Sequence, residues 1–220
     1  MLKTLFLATK PFDFAKIFGN IGSRWYYYVA LAVVVVAVII FSIFKDGNRN
    51  ALTQTQKLVY VAIFSALSFL ANYFTIKVSD VLQLSLVATV GFLAGYLLGA
   101  GMGFTAAFIG DLICGIVMPF GAYNPIIGIG TGLWGLIPGA VFAFSGKRKY
   151  IKTVLSFAIC FVLNSFLVNT FGLSVMYQMQ FSHLLTLLPV KFVGVVVNSA
   201  ICLTLVAIMP KVLPKDKFFI

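Results

Sequence analysis

The chain has 220 residues, 61% of them hydrophobic and 10% charged, with a mean hydropathy of +1.07. A soluble domain is about 45–50% apolar and about 25% charged, so a soluble globular fold is excluded and an integral membrane protein is expected. The net charge of +11 does not indicate nucleic acid, because the Lys and Arg residues stand at the ends of apolar runs and read as topology signals and contacts to anionic headgroups.

In chain order, residues 1–24 carry Lys3, Lys10, Lys16 and Arg24 among Phe, Leu and Ile, which fits an amphipathic or flexible N-terminal segment. Trp25, Tyr26, Tyr27 and Tyr28 form an aromatic belt, and Tyr26 to Phe44 is a first apolar run, so 25–45 reads as one transmembrane helix. Residues 46–57 hold the turn signal Asp46-Gly47-Asn48 with Arg49 and Lys57, and read as a linker. Six further spans are expected at about 58–76, 82–100, 104–118, 125–145, 153–174 and 187–209, making 58–210 a membrane domain, with 211–220 a basic cytoplasmic tail. Continuous apolar runs of this length mean helices and exclude a β-barrel, whose strands alternate over about 10 residues. The expected fold class is all-α: a six-helix bundle with one additional N-terminal transmembrane helix.

Charge orients the six spans. With the first of them starting inside, the inner side collects Lys45, Arg49, Lys57, Lys147, Arg148, Lys149, Lys152, Lys211, Lys215 and Lys217, while the outer loops hold Lys77. In that orientation Asn72, Lys77, Asp80, Gln83, Tyr123, Asn124, Asn169, Tyr177, Gln178, Gln180, His183 and Lys191 fall in the outer half or outer loops, and Asp111, Asn164 and Asn198 fall near the middle. The inner halves are nearly all apolar. A pore needs polar lining on both sides, so the pattern favours a pocket open outward.

Asp111 is the one carboxylate inside a span of this domain, and a Pro/Gly turn, Pro119 to Pro125, carries Tyr123 and Asn124 directly into the next helix. Such a carboxylate faces a partner or a wet cavity, by which it either marks function or bridges helices. Lys191 stands about one turn inside the last span, after Pro189, where a cation snorkels outward or meets an anion. Glycines recur four apart at Gly91, Gly95, Gly99 and Gly103, then at Gly128 and Gly132, and at Gly135 and Gly139, and Ala62 and Ala66 share that spacing. Faces of this kind let helix backbones approach closely, and internal packing is the expectation for the glycine rows.

Enzyme signatures are missing. The chain has no Glu, which excludes zinc-protease HExxH motifs and Glu-based acid/base pairs. Its one histidine, His183, is expected at the surface, and Gly146-Lys147 lacks the rest of a P-loop, so ATP must be handled by another subunit. Cys114, Cys160 and Cys202 stand singly without CxxC spacing, and neither a disulfide, a metal site nor a cofactor is expected.

At Asp111-Leu112, Pro119-x-Gly121-Ala122-Tyr123-x-Pro125, Asn169-Thr170-x-x-Leu173-Ser174-x-x-Tyr177 and Leu187-Leu188-Pro189-x-Lys191 the chain resembles the substrate-capturing S components of energy-coupling factor (ECF) vitamin transporters, most of all the folate type. The resemblance runs over about residues 55–210. It implies a six-helix S component in a bacterial plasma membrane that binds a water-soluble vitamin from outside and releases it inside. It also implies a coupling membrane subunit and two cytoplasmic ATPases as partners, with Ala62 and Ala66 matching the Ala-x-x-x-Ala face for the coupling subunit. Taken with the outward-facing polar residues, the expected substrate-binding residues are Asn72, Lys77, Asp111, Tyr123, Asn124, Asn169, Tyr177 and Lys191. Lys77 and Lys191 would meet the glutamate tail of a folate-like ligand while Tyr123 or Tyr177 stacks on its ring. Folate-type members tend to carry Arg where Lys191 stands, and a Lys-Glu pair where Gly194 and Val195 stand, which leaves another vitamin as the alternative ligand. Two other classes compete: a membrane enzyme built around Asp111 and His183, which would turn over a ligand by itself, and a helix-packing scaffold, which would bind none.

Overall fold

The computed structural model describes Val33 and residues 52–77, 83–117, 125–144, 148–177 and 188–212. The expected N-terminal segment, nearly all of the additional helix, the first part of the linker and the end of the basic tail lie outside the described residues, as do Asp80, Tyr123, Asn124 and His183.

Helix α1 (Gln54–Tyr73) is opened by a reciprocal cap. Thr53 Oγ1 accepts the Gln56 N–H at 3.4 Å, and Gln56 Oε1 accepts the Thr53 N–H at 3.1 Å. This cap starts the helix four residues before the expected 58, so the end of the expected linker is its first turn. After α1, β1 (Ile76–Lys77) pairs antiparallel with β2 (Gln83–Leu84), Lys77 opposite Gln83. This two-residue ribbon is a local addition to a bundle that is otherwise helical, as expected. Ile76 and Lys77 pair through their backbones with Leu84 and Gln83 and so satisfy amides that have left the helix.

Helices α2 (Val87–Leu98) and α3 (Ala100–Val117) meet at Gly99, whose φ of 96° lies in the region only glycine adopts readily. The row Gly91, Gly95, Gly99, Gly103 is therefore not one helix face: the break at Gly99 puts Gly91 and Gly95 on α2 and Gly103 on α3. Folding at that break presses the halves together, so that a Cβ added to Gly103 would fall 2.5 Å from Gly95 Cα. Helix α4 (Pro125–Ala143) lies against both, with Gly135 facing Gly103 and Gly139 facing Ala100. The glycine rows thus serve internal packing, as expected.

Helix α5 (Lys149–Cys160) continues without a break into a π-helical segment, Phe161–Val168, and then α6 (Asn169–Tyr177), so the three make one rod. Within it the Asn169 N–H bonds the Asn164 carbonyl five residues back, the wide turn of a π-helix. Helix α7 (Leu188–Val212) closes the bundle. The core lies between α2, α4 and α5, where Phe92 stacks on Phe157 at 5.3 Å and Tyr96 meets Phe142 edge-on at 4.7 Å.

Four stretches, Ala100–Val117, Ile126–Ala143, Lys149–Leu173 and Leu188–Val212, are long and apolar enough to cross a membrane. Two of the six expected spans fall short of that. The 12 residues of α2 reach only about 18 Å against a hydrocarbon core of about 30 Å, and they are buried nearly all round by their neighbours. Helix α1 begins with Gln54, Thr55, Gln56 and Lys57, a polar first turn.

Candidate functional site

Asp111 sits two turns from the end of α3, and its Oδ1 accepts hydrogen bonds from two other helices: from Asn72 Nδ2 of α1 at 2.7 Å and from Thr131 Oγ1 of α4 at 3.3 Å. Of the residues expected in the site, the structure therefore brings Asn72 and Asp111 into direct contact. Thr131 was not expected. A threonine in an apolar run is indistinguishable by sequence from one that bonds back to its own helix, and the single hydroxyl hydrogen of this one is shared between Asp111 and the Ile127 carbonyl, 3.2 Å away.

The other side of the bundle sits at the same depth. Cys160 Sγ donates to the Leu133 carbonyl at 3.7 Å and Trp134 packs on Phe157 at 5.5 Å, so α4 and the α5–α6 rod run antiparallel. One turn outward in that register, Gly130, next to Thr131, lies under the carboxamide of Asn164. Between the same rod and α7, Lys149 Nζ reaches the Val206 carbonyl and Phe161 meets Phe192 at 5.4 Å. Continued outward, this register sets Lys191 level with Asn164. Asn72, Asp111, Thr131, Asn164 and Lys191 thus form one polar layer toward the end of the bundle away from Lys149 and Lys211.

Polar groups in this layer differ in how they are satisfied. Lys191 Nζ, Asn164 Oδ1 and, just over one turn further out, Asn169 Oδ1 are buried with no hydrogen-bond partner. An orphaned buried polar atom costs on the order of 1–3 kcal/mol, more for an ammonium, and in a native structure asks for a missing partner. Asn198, the other mid-bundle asparagine, is fully engaged: its Oδ1 accepts from Thr89 Oγ1 at 2.6 Å, and its Nδ2 donates to the carbonyls of Ser85 at 3.1 Å and Gly194 at 2.8 Å. That network ties α7 to α2 and is structural.

Lys77 is placed by its backbone in β1; its side chain and that of Tyr177, at the end of α6, lie outside the described residues. Ala62 and Ala66 are both exposed on α1, away from the polar layer. Among the described residues no group of three His, Cys, Asp or Glu could hold a metal ion.

A model of the family "ECF-type riboflavin transporter, S component" matches residues 52–213, nearly three-quarters of the chain. The chain belongs to this family. This S component is thus a membrane-embedded subunit of a vitamin transporter, and the family is one of transport proteins rather than enzymes. Among solved structures it is similar to the crystal structure of FolT bound with folic acid, at 18% identity over 70% of this chain and 93% of that one, with a TM-score of 0.59. At that identity the similarity establishes a shared fold. A comparison with curated proteins found no match.

Proposed function

We propose that this S component captures a folate-like vitamin from the outside of a bacterial plasma membrane and delivers it inward together with an ECF coupling subunit and two cytoplasmic ATPases. The observation that favours an acidic ligand is the buried Lys191 ammonium, which has no hydrogen-bond partner near the start of α7. A desolvated ammonium is stable only beside an acceptor or an anion. A carboxylate of folate supplies one. The fold shared with FolT supports the vitamin-capturing part of this reading.

In this reading Asp111, fixed by Asn72 and Thr131, and Asn169 line the ligand from the other helices, while Lys77, Tyr123, Asn124 and Tyr177 close it from the outer loops. The basic ends of α5 and α7 face the cytoplasm, with Arg148, Lys149, Lys152 and Lys211. Coupling to the partner subunit runs through the exposed Ala62 and Ala66.

A second ligand, riboflavin, is favoured by the family match over residues 52–213. Riboflavin carries no carboxylate, so the two ligands use Lys191 differently. Titration calorimetry of the purified chain with each vitamin decides between them: folic acid binding tightly and riboflavin weakly is the expected result. The reverse order moves the assignment to riboflavin, and binding of neither overturns both.

A further inference from the structure

We infer that Asn164 is a specificity-determining residue of the vitamin site, its carboxamide pairing with the lactam edge of a fused nitrogen heterocycle, a ring N–H beside a ring carbonyl. This rests on the proposed function and adds to it a residue and a recognised group.

Three observations converge on Asn164. Its side chain is 3% exposed and its Oδ1 has no hydrogen-bond partner, whereas Asn198 at comparable burial has every group used. Packing alone does not account for an asparagine here, because an apolar side chain would fill the position without leaving a carbonyl orphaned. The carboxamide is seated against the opposite helix: a Cβ added to Gly130 would fall on its Oδ1, so a larger residue at 130 would push the side chain aside. The third is the backbone. Asn164 lies inside the π-helical segment, whose wide turns are uncommon and recur at functional sites, and the Thr170 hydroxyl of α6 donates back to the Ser165 carbonyl of that segment at 3.1 Å.

The chemistry of the missing partner follows from the carboxamide. It offers a carbonyl acceptor and an N–H donor side by side, complementary to a cyclic lactam that offers N–H and C=O side by side. The pterin of folic acid has such an edge, and so does the isoalloxazine of riboflavin. One asparagine therefore suits either ring, while Lys191 at the same depth meets whichever acceptor the rest of the ligand provides. A site built to hydrogen-bond a ligand N–H rejects an analogue that lacks it, because its own buried acceptor is then left unpaired.

The test uses the full chain purified in detergent, titrated with folic acid and riboflavin and with the analogue of each methylated on the lactam nitrogen. Wild type is expected to bind the methylated form of its vitamin about 10–100-fold more weakly than the parent. Asn164→Ala is expected to lose a similar factor on the parent vitamin, to show little further loss on methylation, and to melt without ligand at or above the wild-type temperature, since it removes an orphaned group. Wild-type affinity in Asn164→Ala, or a methylation penalty that persists in it, overturns the inference while the vitamin reading stands. An Asn164→Ala chain that melts well below wild type without ligand makes Asn164 a packing residue and also overturns it. Wild type binding neither parent vitamin overturns the proposed function itself.

Discussion

Lys191 and Asp111 stand in the same layer yet meet their surroundings in opposite ways. Asp111 is held by Asn72 and Thr131 from two helices, so its place is set by the protein before any ligand arrives. Lys191 is buried without a hydrogen bond, and its ammonium completes its shell only with something brought in. Replacing Lys191 by Ala should therefore weaken vitamin binding by about 1.5–3 kcal/mol, the range for a hydrogen bond to a charged group, with little loss of thermal stability. Lys191→Arg should be milder. Calorimetry on the purified variants reads the first effect and melting in detergent the second; unchanged affinity in Lys191→Ala removes the residue from the site. Both residues were legible as candidates because charge in an apolar run is conspicuous. Thr131 and Asn164 were not, since a hydroxyl or a carboxamide in a helix is commonplace, and only a neighbour from another helix shows whether it is used.

At the scale of elements, backbone approach governs how α2, α3 and α4 fit. A Cβ on Gly135 would collide with the Gly103 carbonyl, whereas one on Gly194 of α7 would have nothing within 4 Å. Gly135→Ala should thus cost about 1–3 kcal/mol or more through overpacking against rigid backbone. Gly194→Ala should be neutral or stabilise by up to about 1 kcal/mol through helix propensity. Melting curves of the two variants separate a packing glycine from a permissive one, and equal effects would contradict the close approach. The inner end of α7 carries a different device. Pro210 has no N–H for the Val206 carbonyl four residues back, and Lys149 Nζ of α5 donates to that carbonyl at 3.3 Å in its place. Lys149→Met should destabilise by about 1–2 kcal/mol, because it leaves a buried carbonyl unpaired. In a Pro210→Ala background, where the helix supplies its own N–H, the same change should have little effect. A double-mutant cycle measures the difference, and additive effects would show that Lys149 serves α7 in some other way.

For the whole molecule, the polar layer and the Ala62/Ala66 face are separate parts of one bundle. The alanines are exposed and outside the polar layer, so enlarging them leaves the proposed vitamin site intact while preventing close approach of another helix. Ala62→Trp combined with Ala66→Trp should abolish vitamin uptake in cells and leave binding by the isolated S component within about 2-fold of wild type, a difference under about 0.5 kcal/mol. Binding that falls together with uptake would make this face part of the internal packing.

The sequence by itself determined that the chain is a helical membrane protein, that its basic ends gather on one side, and that it resembles the S components of ECF transporters. Those properties follow from composition, run length and local spacing, which are carried along the chain and need no knowledge of what lies opposite. The tertiary structure alone decided the rest. It showed that the four-spaced glycines belong to two helices folded at Gly99, that α2 is too short to cross a membrane and is instead enclosed by its neighbours, and that a two-strand ribbon follows α1. It also sorted the buried asparagines, leaving Asn198 satisfied and Asn164 waiting for a partner. The physical reason is that satisfaction of a buried polar group is a property of pairs: whether an amide is structural or available depends on donors contributed by residues tens of positions away, and only folding sets those distances.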